Sequence, residues 1–143
     1  MLTQAEADAL LALRKEFLDP APLFLPPGSD GTRELASEDR RESFLFDVYR
    51  ASLRITKTKY QTRGRKIFVL ARLDLDGAPH TNPDGQRVGG THLHLYREGY
   101  EDKWAAPLDP AVFSDPSDLG QAFADFCRLC NIPSPPPLQV GVL

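Results

Sequence analysis

Strict apolar–polar alternation fills the middle of this chain, while its two ends space their apolar residues for helices. Leu10, Leu13 and Phe17 recur on one side of residues 3–18, and Thr3 stands three places before Glu6, the spacing of a capping box. A helix is predicted there, stopped by Asp19-Pro20. The Pro/Gly-rich run APLFLPPGSDGT then reads as one short edge strand and a turn. ESFLFDVYRAS sets Phe44, Phe46 and Val48 against Leu45, Asp47 and Tyr49. RITKTKYQTR puts Arg54, Thr56, Thr58 and Tyr60 on one face and Ile55, Lys57, Lys59, Gln61 and Arg63 on the other. KIFVLARLDLD gathers Ile67, Val69, Ala71, Leu73 and Leu75 against Phe68, Leu70, Arg72 and Asp74.

Turn signals separate these strands. Asp76-Gly77 is a two-residue hairpin signal, and Asn82-Pro83-Asp84-Gly85 has type I turn chemistry. THLHLYRE returns as a strand with Thr91, Leu93 and Leu95 inward and His92, His94 and Tyr96 on the opposite face. A second helix is predicted near 116–130, capped by Asp115, with Pro116 at its first position and a stripe of Leu119, Phe123, Phe126 and Cys130. The proline-rich tail from 133 to 143 is expected to lie extended along the surface. The sum is a single α+β domain over 1–143: an antiparallel sheet of five or six strands flanked by an N-terminal and a C-terminal helix.

The bulk numbers fit an ordinary soluble protein, 41% apolar and 26% charged, with no run long enough to span a membrane and no signal-peptide pattern. A cytoplasmic location is the expectation, and Cys127 and Cys130 fit a reducing compartment as core residues on a helix. The net charge of −3 argues against nonspecific nucleic-acid binding by the whole surface. Its distribution changes that picture. Between Asp47 and Asp74 there is no acid, yet Arg50, Arg54, Lys57, Lys59, Arg63, Arg65, Lys66 and Arg72 all fall there. Such a segment predicts an anion-binding face.

All three histidines, His80, His92 and His94, lie within fifteen residues of one another. Two imidazoles on one strand face suit acid–base chemistry near neutral pH. Cleaving RNA beside its 2′-hydroxyl needs one base, one acid and cations on the phosphate. His92 and His94 are the candidate pair, His80 and Tyr96 would orient or assist, and Lys57, Lys59, Arg63 and Arg72 would bind phosphate. That reading is metal-free and needs no cofactor. The alternative is a metal site of His80, His92, His94 and Glu98. The local H-x-H-x-x-x-E is similar to the first cupin metal motif, but no histidine follows His94 to supply the second. Asn82 and Asp84 are placed to orient His80, and Trp104 with Tyr100 to pack over the sheet end.

Taken together, QTR at 61–63, RLDLDGAPHTNPDG at 72–85 and THLHLYREGYEDKWAAPLD at 91–109 resemble a family of small uncharacterised proteins from bacteria and their phages or prophages. The resemblance covers nearly the whole chain. By it, the motif residues are His80, Asn82, Pro83, Asp84, Gly85, His92, His94, Tyr96, Arg97, Tyr100, Lys103 and Trp104. It implies no defined activity; phage association favours a toxin, an accessory nuclease or an inhibitor of host defence. The expected function is a nucleic-acid-acting protein, most concretely a metal-independent endoribonuclease of toxin type. Two other classes stand beside it: a non-catalytic module binding RNA, another nucleic acid or a host protein, and a three-histidine metalloenzyme. A cognate inhibitor, a protein partner and the oligomeric state are left open by the sequence.

Overall fold

A computed structural model describes residues 1–141. Its two helices are α1 (Gln4–Ala12) and α2 (Leu119–Leu129). The strands begin with β1 (Lys15–Phe17), β2 (Leu23–Phe24), β3 (Asp30–Ser37), β4 (Ser43–Arg50), β5 (Thr58–Gly64) and β6 (Phe68–Leu75). They continue with β7 (His80–Thr81), β8 (Arg87–Val88), β9 (His92–Leu95), β10 (Ala105–Ala106) and β11 (Leu138–Gln139). Seven strands form the main sheet in the order β1-β3-β4-β5-β6-β9-β10, every neighbouring pair antiparallel. The architecture is a small α+β domain, with a larger sheet than the five or six strands expected.

The additional strands have identifiable sources. β3 carries Asp30, Arg33 and Glu34, so its charged half hides a strand whose end, Leu35 and Ala36, is buried. β1 comes from the far end of the predicted first helix. Thr3 and Glu6 do form the capping box, but α1 ends at Ala12. Lys15, Glu16 and Phe17 pair instead with Ser37, Ala36 and Leu35. The second helix also starts later than expected: Asp118 caps it by accepting from the Gln121 N–H, while Asp115 closes a turn on Ser117. In the tail, β11 pairs in parallel with β2, and residues 142–143 lie outside the described residues.

One sheet face is apolar and covered by both helices. Phe46 and Tyr60 meet Phe123 edge-on at centroid distances of 5.6 and 5.4 Å, and the Tyr60 hydroxyl donates to Leu119 O at 3.0 Å. Cys127 and Cys130 are fully buried here, and burial pushes both thiols' pKa values up, Cys130 to about 12. They are inert core residues. A register shift at Thr62/Arg63 leaves Leu70 as an extra residue in β6, so Leu70 and Ala71 both turn into the core. Among the described residues no helix is long and apolar enough to cross a membrane.

Lys15 joins the two helices. Its side chain is buried, and its Nζ donates to Leu11 O, Leu13 O and Cys130 O at 2.7, 2.8 and 2.8 Å. These carbonyls close the C-terminal ends of α1 and α2, where a positive charge also meets the negative ends of both helix dipoles. Burial lowers the Lys15 pKa to about 8, so the ammonium remains the main form at neutral pH. Lys15→Met should lose about 3 kcal/mol of stability in urea unfolding, because three buried acceptors lose their donor at once. Unchanged stability would show that the ammonium is dispensable.

Candidate functional site

The opposite sheet face is polar, and its order follows from strand register. Lys59, Asp74 and His92 align across β5, β6 and β9. Gln61, Arg72 and His94 form the next row, which Ala105 extends into β10. His92 and His94 are the buried residues of β9, at 1% and 0% exposure, whereas Leu95 is 43% exposed. Leu93 and Leu95 keep to the α1 side as expected, but Leu95 is left open there while the histidine side is closed. The reason is that the β7–β8 hairpin and residues 97–104 cover the histidine side. The base of this cover is tight: the Gly77 N–H donates to Gly90 O at 2.9 Å, and a Cβ at Gly90 would collide with Gly77 O.

The three imidazoles meet in one cluster. Ring centroids lie 4.8 Å apart for His80–His94 and His92–His94, and 5.7 Å apart for His80–His92. Each ring has one nitrogen against a main-chain carbonyl: His80 Nε2 on Lys103 O at 2.7 Å, His92 Nδ1 on Gly89 O at 2.5 Å, His94 Nδ1 on Asp102 O at 2.7 Å. A carbonyl only accepts, so each of these nitrogens carries the proton.

The remaining nitrogens of His92 and His94 converge on Asp74. His92 Nε2 is 3.1 Å and His94 Nε2 3.6 Å from Asp74 Oδ2. Arg72 threads the group: its Nε donates to Asp74 Oδ1 at 3.0 Å, Nη1 to Asp102 Oδ2 at 2.9 Å, and Nη2 to His94 Nε2 at 2.9 Å. Burial alone would raise the Asp74 pKa, but the groups around it, the charges of Arg72 and Lys59 among them, outweigh it and hold it at about 2. Asp74 is thus a carboxylate at neutral pH. Both His92 nitrogens then face oxygens, and the Nε2–Oδ2 contact holds together only with a proton or a metal ion between the two atoms.

Other expected site residues lie elsewhere. The Tyr96 hydroxyl donates to Leu2 O at 2.7 Å and accepts from the Leu2 N–H at 3.0 Å, pinning the N-terminus. Glu98 accepts from the Gln4 N–H at 2.7 Å, so the carboxylate beside the histidines is Asp74, which the sequence pattern did not single out. Asn82 does not orient His80. Its amide donates to Ala105 O at 2.9 Å and accepts from the Ala105 N–H at 2.8 Å, while Asp84 accepts from the Gln86 N–H.

The acid-free basic segment is largely neutralised by acids from outside it. Arg63 grips Asp47 through two bonds of 2.7 and 2.9 Å, Arg54 pairs with Asp76, and Arg65 reaches Glu6 and Glu42. Arg50 is buried, donating to Leu25 O, Ile55 O and Val140 O. Of the four expected phosphate ligands, only Lys57 and Lys59 lack a carboxylate partner among the described residues.

The geometry defines a class of molecule: a small α+β domain with a His–Asp–Arg cluster held beneath a hairpin on the polar side of its sheet. The chain matches the model of a family of unknown function, DUF6978, over residues 2–132, and it belongs to that family. No curated protein and no solved structure matches it.

The Asp47 pair makes a pH-dependent contribution of known sign. Burial acts to raise the Asp47 pKa, but Arg63, Thr32 and Gln61 together bring it below the ordinary value. A lowered folded-state pKa stabilises above the unfolded value of about 4, and that stability is lost as pH falls below it. Asp47→Asn should therefore melt well below the parent at pH 7, with the Tm gap narrowing as pH falls below about 4. A gap independent of pH would contradict the ionic account.

Proposed function

We propose that this protein binds a divalent transition metal through Asp74, His92 and His94, with His80 adjoining them. The observation that carries the reading is the convergence of two Nε2 atoms on one Asp74 oxygen, at 3.1 and 3.6 Å. Ligands about 2.1 Å from a tetrahedral ion stand about 3.4 Å from one another; the two carboxylate–imidazole spacings match this, and with all three ligand atoms within 4.8 Å an ion would draw the set together. The far nitrogens of both rings give their protons to backbone carbonyls, which fixes the tautomer whose Nε2 lone pair faces the ion. Two imidazoles and one carboxylate favour zinc or its neighbours over calcium or magnesium.

Acid–base cleavage of RNA by His92 and His94 makes a different demand. Both rings must touch substrate and exchange protons, yet they are 1% and 0% exposed with their nitrogens engaged. That reading needs the β7–β8 hairpin to lift away. Metal binding needs no substrate contact at the rings and asks only for small shifts of the ligand atoms and displacement of Arg72. It competes with a proton at His92 Nε2 and with the Arg72 guanidinium at His94 Nε2, so affinity should rise with pH and on removing Arg72.

Cobalt(II) titration of purified protein, followed by visible absorption and repeated with zinc by calorimetry, tests this directly. Wild type should take up one ion. Asp74→Asn and His92→Ala should each weaken binding by roughly 10- to 100-fold, and Arg72→Gln should tighten it about 10-fold. Failure of both wild type and Arg72→Gln to bind cobalt or zinc would refute the proposal.

A second reading, contact with nucleic acid, is favoured by one observation: Lys59 lies in the Asp74–His92 row, and Lys57 also lacks a carboxylate partner among the described residues. Under it, RNA cleavage would depend on added metal and be lost in His92→Ala/His94→Ala. Cleavage that survives chelator would restore the metal-free, toxin-type mechanism.

A further inference from the structure

We infer that the hollow between α1 and β9–β10 is a binding site for a small molecule joining an apolar body to a carboxylate. The hollow has a volume of about 350 Å³, in the range of small-ligand sites. Leu11, Leu93, Leu95 and Trp104 give it an apolar lining, and Arg97 stands at its edge. Leu95 is 43% exposed there, although it belongs to a strand of the main sheet. An apolar ligand would cover surface that the fold itself leaves wet.

Arg97 supplies the polar half of the argument. Its guanidinium carbon lies 4.1 Å from the centroid of the Trp104 ring, and Tyr100 buttresses that ring edge-on at 5.7 Å. Stacking fixes the guanidinium plane, while its N–H groups have no carboxylate or carbonyl partner among the described residues. A flat, unpaired guanidinium presents two parallel donors, the complement of a carboxylate. The one carboxylate of the lining, Asp8, already accepts from Gln4 Nε2 at 2.9 Å. The site is separate from the proposed metal ligands, because Leu93 and Leu95 face the opposite side of β9 from His92 and His94.

Trp104 is the only tryptophan in the chain, so its fluorescence reports on this hollow alone. Octanoate should change that emission saturably, with matching heat in calorimetry, and bind at least about 10-fold more tightly than octan-1-ol. Arg97→Gln changes an exposed side chain; it should weaken octanoate about 10-fold and leave octanol unaltered. Leu95→Glu should weaken both. Neither heat nor emission change with octanoate, equal binding of acid and alcohol, tighter binding of octylammonium, or an Arg97→Gln protein that retains the preference for the acid would each overturn the assignment.

Discussion

The cross-strand register of β5, β6 and β9 stacks Lys59, Asp74 and His92 in one row and Gln61, Arg72 and His94 in the next. A shift of one residue would turn the histidines toward α1 and α2 and bring Leu93 and Leu73 to the polar side. Packing of Phe46 and Tyr60 against α2, with Leu73 buried in the same core, prevents that shift. The apolar face thereby fixes the polar one. Charged groups on that side must find partners among themselves, because burying an unpaired charge costs far more than any single packing contact returns.

Neutralisation is unusually long-range in sequence. Arg63 meets Asp47, Arg72 meets Asp102, and Arg65 meets Glu6. Each pair joins segments that a linear charge plot keeps apart, which is why a segment that looks purely basic yields so little free positive charge. Lys15 shows the same economy at the helix ends, where one ammonium serves carbonyls from two elements.

The alternation in residues 43–50 and 58–75 was readable because period two with a buried face has few other interpretations. The same pattern correctly grouped His92 and His94 on one side of a strand, but it runs past the end of β9 at Leu95, and Tyr96 turns instead to the α1 side with Leu93 and Leu95. β3 was hidden by its charges, and β1 by the continuing helical spacing of Phe17 after Leu10 and Leu13. Asp74 carries little local signal in the sequence. Its partners His92 and His94 lie 18 and 20 positions away, and only the pairing of β6 with β9 brings them together. The nearest available signal was its place two residues after Arg72 on one strand face.

The Asn82 amide has a consequence at the far end of the sheet. A primary amide offers the same donor and acceptor as a peptide unit, and here it meets both backbone groups of Ala105. In effect the NPDG turn contributes an eighth strand one residue long, made from a side chain. A peptide or a second molecule seeking to extend the sheet past β10 finds Ala105 already answered. The sheet is terminated here by hydrogen bonding as well as by the end of a strand, so growth of an aggregate from this edge would first have to displace Asn82.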